Sequence, residues 1–209
     1  MSKVALITGA TSGIGLATAQ AFAEAGIDLI LCGRRQKRLK AAQEELSKKV
    51  QVHTLSFDVR NQHEVIEALN SLSGNWRNID ILVNSAGNAY GLAPIQDGNT
   101  ADWDAMIDGN VKGLLYVSKI VIQEMVRRQS GHIVNLSSVA GKLTYANGAV
   151  YCASKKAVEA ISEGMRLTLH NMGLRLPILP LGPLKRSFRW YGLMGMPSAP
   201  KRYTRALNL

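Results

Sequence analysis

Val4-Ala5-Leu6-Ile7-Thr8-Gly9-Ala10-Thr11-Ser12-Gly13-Ile14-Gly15 opens the chain, and an amphipathic stretch from Ile14 to Ala25 continues directly from it. The first five residues form an apolar, β-rich run, and the next seven are dominated by glycine and small hydroxyl residues. Such a turn lets the backbone bend sharply and brings free N–H groups at a helix start towards an anion. A lone glycine pattern also serves packing alone. Its place between a first strand and a first helix favours the pyrophosphate of a dinucleotide, held by Gly9, Thr11, Ser12, Gly13, Ile14 and Gly15.

Outward from this turn, short apolar runs alternate with longer amphipathic ones. The pattern predicts strands at Val4-Thr8, Asp28-Cys32, Val50-Ser56, Ile79-Val83 and His132-Leu136. Helices are expected at Ile14-Ala25, Gln36-Lys48, Gln62-Leu72, Asp102-Arg128 and Ala149-Asn171, the last stopped by Gly173. Runs such as Ile79-Asp80-Ile81-Leu82-Val83 suit parallel strands buried on both faces. The expected class is α/β, a doubly wound parallel sheet of Rossmann type with helices on both faces.

The second strand ends in Cys32-Gly33-Arg34-Arg35. An acidic residue here would bind ribose hydroxyls. Two guanidinium groups suit a 2′-phosphate instead, which makes NADP the expected cofactor. The alternative is a pair of solvated arginines, although a helix start disfavours cations unless an anion joins them.

Tyr151 and Lys155 stand four residues apart in a helical pattern and so share a face. A free phenol, titrating near about 10, is a poor base at neutral pH. A neighbouring ammonium stabilises the phenolate and makes proton transfer accessible. Alone, such a pair is usually just exposed surface. Ser138, however, comes after the fifth strand at the edge where open α/β sheets bind ligands, and can hold a substrate oxygen. Ser137 is expected to point the other way. Asn84-Ser85-Ala86-Gly87 ends the fourth strand, where small residues leave room for a ring.

Together, Thr8-Gly9 with Gly13-Ile14-Gly15, Asp58-Val59, Asn84-Ser85-Ala86-Gly87, Asn110, Ser138 and Tyr151 with Lys155 resemble the short-chain dehydrogenase/reductase family. The resemblance covers residues 1–175. It implies Tyr151 as general acid/base, Lys155 as a ribose ligand that lowers the phenol's pKa, and Ser138 as the substrate-orienting hydroxyl. It further implies that Asn110 holds a water relay to Lys155, and that Asp58 and Val59 meet adenine. Asn84, Ala86 and Gly87 belong to the same implied cofactor site. Ser85 departs from the family, many of whose members carry a second Asn there. Gly33-Arg34-Arg35-Gln36-Lys37-Arg38-Leu39 and Asn75-Trp76-Arg77-Asn78 look like the subgroup of NADP-dependent 3-hydroxy acid and serine dehydrogenases. A 3-oxoacyl substrate is the alternative. The resemblance also implies a homodimer or homotetramer, assembled through the helices around Asp102-Arg128 and Ala149-Asn171.

Composition narrows the other classes. Cys32 and Cys152 give neither a disulfide framework nor metal-ligand spacing, and His53, His63, His132 and His170 are scattered, so no metal is expected. No apolar run is long enough for a membrane span or a signal-peptide core, which makes cytoplasm the default. The net charge of +10 suggests nucleic acid. Yet seven Lys/Arg and no acidic residue lie from Arg175 onward, which leaves 18 basic and 15 acidic residues before it. The basicity belongs to the tail, and nucleic acid is not the expected partner.

That tail does not read like the rest. Five of the six prolines come after Arg175, and Pro177 falls where a sixth central strand is due. A shift by one base accounts for this. Suitable synonymous codons read in the shifted frame give Val-Thr-Asn-Ile-Thr-Pro-Gly-Ala-Val-Glu-Thr-Glu-Phe, a strand and Pro-Gly turn like the family's. Where codon choice is fixed, Trp190-Tyr191 yields Val, Met194-Gly195 yields Gly and Met196-Pro197 yields Ala, all of which fit the restored sequence. The expectation is therefore a nucleotide-binding domain over 1–175 and an irregular basic tail over 176–209. The family's last strand and helix would be missing, and activity impaired. A real Pro-rich extension, binding RNA or making the protein a non-catalytic NADP binder, is the competing reading.

Overall fold

The computed structural model describes residues 2–179. Within them β1 (Val4–Thr8), α1 (Gly13–Glu24), β2 (Asp28–Gly33), α2 (Gln36–Leu46), β3 (Val52–Ser56) and α3 (Gln62–Asn70) alternate strictly. β4 (Ile81–Asn84), α4 (Thr100–Ile107), α5 (Gly113–Arg128), β5 (Gly131–Leu136) and α6 (Ala149–Leu169) continue the pattern. Two short strands, β6 (Leu174–Arg175) and β7 (Ile178–Leu179), close the described chain.

The strands form one parallel sheet in the order β3-β2-β1-β4-β5, with β6 and β7 both beside β5. Side chains alternate between its two faces. Val4 and Leu6 of β1 join the core under α3 and α5, whereas Ala5 and Ile7 join the core under α1. Both faces are dry, and for that reason β1, β2 and β4 read as unbroken apolar runs rather than alternating ones. Each fully buried Leu or Ile contributes roughly 1.5–3 kcal/mol.

Two expectations are corrected. The helix foreseen over Asp102-Arg128 is not uniform: a π-helical segment, Asp108–Lys112, separates α4 from α5. Such a bulge shifts the side-chain register of the helix beyond it and often marks a functional site. Here it carries Asn110. The stretches on either side both read as helix, so the sequence pattern merges them into one.

The second correction concerns the last strand. Leu174 pairs with Gly131 and Ile178 with Asn135, so β6 and β7 lie in one register along β5, divided at Leu176-Pro177. Proline has no N–H to give the ladder, and the strand breaks where it stands. The pairing nevertheless continues to Leu179, and Leu176 is buried in the α5 core, so the packed chain reaches beyond Arg175. α6 ends as expected, with Gly173 in the left-handed region at φ 73°. Of the irregular tail expected over 176–209, residues 180–209 lie outside the described ones, as does the expected loss of the final strand and helix.

Candidate active site

The strand order reverses direction between β1 and β4, so the chains leaving their carboxyl ends diverge and open a crevice. A cleft of about 520 Å³ lies there, within the range of a ligand site. Gly9, Thr11, Ser12, Gly13 and Ile14 line it from the first turn. Gly9 has φ 67°, and a Cβ there would meet the Ala86 backbone at 2.9 Å. Only glycine lets the two strand ends approach this closely. Thr8 Oγ1 fastens them, accepting from the N–H groups of Ser85 (3.1 Å) and Ala86 (3.0 Å).

At one end the cleft is cationic. Arg35 donates to Thr11 Oγ1 (2.6 Å) and Ser12 Oγ (2.7 Å), which sets its guanidinium across the glycine turn. Arg34 reaches Asp58 at 3.4 Å, and Arg60 donates to the same carboxylate at 2.7 Å. Burial alone would raise the Asp58 carboxyl. The hydrogen bonds from Arg60 and the charges of Arg60 and Arg34 outweigh it and hold the group below the usual carboxylate range. Asp58 and Val59 both line the cleft.

The other end gathers Ser138, Tyr151 and Lys155 with Ala86 and Gly87. α6 carries Tyr151 and Lys155 one turn apart, and both line the cleft. Lys155 is 8% exposed and donates to the Leu136 carbonyl at 3.0 Å. Burial pulls its ammonium down to about 8. Ser138 Oγ accepts from the Ala140 N–H at 3.2 Å, capping the 3-10 turn Val139–Gly141.

Three sequence-derived site residues do not line the cleft. Gly15 stands behind it, where a Cβ would meet the Gly9 carbonyl at 2.5 Å, so it packs α1 against the turn. Asn84 turns into the protein and donates to Ser118 Oγ and Asn135 Oδ1, both at 2.9 Å. Asn110 is buried and clamps Asn88, accepting from its N–H and donating to its carbonyl, each at 2.8 Å; it also donates to Ser154 Oγ. A Cβ at Gly87 would lie 3.0 Å from Asn110 Oδ1 and 3.6 Å from Lys155 Nζ, so these groups converge just behind the cleft wall.

Ser137 also borders the cleft, but its hydroxyl is buried on the far side beside Gly141, away from the face that Ser138 presents. Sequence reasoning missed Arg60, Asn88 and Gly109 as cleft residues. Arg60 stood two places after Asp58 and was legible as a cation there. Gly109 arrives only through the π segment.

The family model for short chain dehydrogenases matches residues 3–189, past Arg175, where the sequence motifs stop. The chain belongs to the short-chain dehydrogenase family. Among its relatives is the NADP-dependent 3-hydroxy acid dehydrogenase of Salmonella typhi, 44% identical over 173 residues, which are 83% of this chain and 69% of that protein. Sulfoacetaldehyde reductase 2 of Chromohalobacter salexigens is 43% identical over 189 residues, 90% of this chain and 75% of that one. Among solved structures, the closed form of serine dehydrogenase complexed with NADP+ superposes with a TM-score of 0.81 at 42% identity, covering 86% of this chain and 71% of that one. In this short-chain dehydrogenase, no helix among the described residues is long and apolar enough to cross a membrane.

Proposed function

We propose that this chain is an NADP-dependent oxidoreductase acting on a small 3-hydroxy acid or the corresponding carbonyl compound. One observation carries the reading: a single cleft joins the cationic end at Arg34 and Arg35 to the Ser138, Tyr151 and Lys155 end. Its walls fit the coenzyme. The close approach at Gly9 leaves room for a pyrophosphate, and three guanidinium groups stand where a 2′-phosphate needs donors. Arg34 and Arg35 hold that phosphate, and Asp58 and Val59 border the adenine. Thr11, Ser12 and the turn's N–H groups hold the pyrophosphate, beside the wall formed by Ala86 and Gly87.

When bound, NADP supplies or takes the hydride. This chain's own residues handle the proton. In reduction the Tyr151 phenol donates its proton to the carbonyl oxygen; in oxidation the phenolate takes the hydroxyl proton. Lys155 holds positive charge one helical turn away and stabilises that phenolate. Ser138 hydrogen-bonds the same substrate oxygen as negative charge develops. Asn110 keeps Asn88 and the cleft wall beside Lys155 in place. The reading further includes a homodimer or homotetramer built on α5 and α6, whose exposed Leu115 and Leu167 suit burial between copies.

A second reading has a specific basis. Pro177 splits the strand beside β5, and a chain whose sixth strand is interrupted would bind NADP yet turn over poorly. Both are tested by expressing the 209-residue chain beside a version with the restored reading frame after Arg175. NADPH binding and NADPH oxidation with 3-oxo acids and semialdehydes are measured for each. Binding by both with fast turnover only in the restored version supports the frame shift. Equal turnover removes it. Failure of both to bind NADPH more tightly than NADH ends the functional reading.

A further inference from the structure

We propose that Glu159 is a positioning residue, which fixes the Ser138 turn against the helix that carries Tyr151 and Lys155. The proposal rests on the oxidoreductase reading for its catalytic consequence, but its geometry stands apart from it. Tyr151, Lys155 and Glu159 succeed one another at four-residue spacing along α6, so all three face the end of β5. The segment they face, Leu136 to Lys142, is fastened to that helix at three levels.

Lys155 Nζ holds the Leu136 carbonyl at 3.0 Å. One step on, Gly141 touches α6 so closely that a Cβ would lie 3.1 Å from the Lys155 carbonyl and 3.0 Å from Glu159 Cγ. Finally, Lys142 Nζ meets Glu159 Oε2 at 2.8 Å. The pair is asymmetric: the lysine side chain is 62% exposed, the glutamate 12%. A surface ion pair usually contributes little. A carboxylate this buried must keep a partner, so it commits the turn to one place.

Two further atoms point the same way. Ser137 Oγ and Glu159 Oε1 are both buried without a hydrogen-bond partner among the described residues. The position of a Cβ on Gly141 is 2.7 Å from Ser137 Oγ, so hydroxyl and carboxylate flank the same notch. One is a donor and the other an acceptor, and leftover buried groups are uncommon in folded proteins. In the proposed arrangement the two pair across that notch. Glu159 thereby grips the turn from behind through both Ser137 and Lys142, while Ser138 between them faces the cleft. Displacement of a reacting group by about 1 Å can cost about 100-fold in rate.

The test compares Glu159→Gln, Lys142→Gln and the double variant in the full chain, with Glu124→Gln, which removes an exposed ion pair on α5, as control. Backbone amide exchange is read at Gly141, Lys142 and Leu143, whose N–H groups close the turn. In Glu159→Gln these three exchange about 10-fold faster while β1 and β4 are unchanged. The kcat falls about 10-fold with the NADPH KM within about twofold. Lys142→Gln moves the same readouts less, and the double variant loses no more than Glu159→Gln alone. The control changes nothing. Unmoved exchange at the turn, additive losses, or a loss spread over the whole sheet and the NADPH KM overturns the proposal. Should the parent and frame-restored proteins both fail to bind NADPH more tightly than NADH while the turn still loosens as described, the oxidoreductase reading fails and the anchoring by Glu159 stands.

Discussion

Asn110 is 2% exposed and bonds Asn88 through both of that residue's peptide groups, and Ser154 through its hydroxyl. Replacement by alanine removes all three bonds. Ser154 keeps its bond to the Tyr151 carbonyl at 2.7 Å, so its hydroxyl is not stranded. The Asn88 N–H and C=O rely on Asn110 alone among the described residues, and because Asn88 is only partly buried each lost bond costs about 1 kcal/mol. Asn110→Ala should therefore destabilise the fold by roughly 2 kcal/mol, against a total of about 5–15 kcal/mol for a typical domain. Urea unfolding monitored by circular dichroism measures it as a lower midpoint at unchanged slope. Asn88 also lines the cleft, so NADPH affinity should fall alongside. Asn110→Asp keeps the Oδ1 bond but sets an acceptor against the Asn88 carbonyl, and should do no better. A midpoint shift worth less than about 0.5 kcal/mol, the size of an ordinary surface change, would refute the clamp.

Two more expectations concern the cofactor. Replacing Arg34 and Arg35 by glutamine should lower the ratio of kcat/KM for NADPH over NADH by about 10- to 100-fold, since a charged hydrogen bond is worth about 1.5–3 kcal/mol; an unchanged ratio shows that the phosphate sits elsewhere. Lys155 has its own pH signature. Its ammonium is lowered by burial from 10.5 to about 8, so the unfolded chain binds more protons between those values and the lysine's contribution to stability grows as pH rises across that window. A polyanionic coenzyme should favour the charged form, so binding between about pH 8 and 10 should be accompanied by net proton uptake. Calorimetry in buffers of different ionisation enthalpy reads that uptake, which Lys155→Met abolishes; none in the parent protein would count against the placement of Lys155 beside the coenzyme.

The fold was legible from the alternation of apolar runs and helical stretches, because a parallel sheet dry on both faces leaves that trace in composition. The glycine turn was legible too. A positive φ at Gly9 and the Ala86 backbone at 2.9 Å admit no side chain, so the residue type records the geometry. Tyr151 and Lys155 share a helix, and their spacing alone set them together. Family resemblance brought Ser138 and Asp58 into the same picture.

Direction was beyond the reach of spacing. Asn84 stands beside Ser85 and Ala86 in sequence, yet its amide turns inward to Ser118 and Asn135, a choice made by packing between β4, β5 and α5. Asn110 owes its place to the π segment, and Glu159 to a glycine that lets β5's end touch α6. The amino-acid order determined the strand–turn–helix grammar, the glycine turn and the helical Tyr–Lys pair, since each depends on neighbours within a few residues. The tertiary structure decided which polar groups face the cleft and which brace it, because their partners lie tens of residues away and meet only once the sheet is packed.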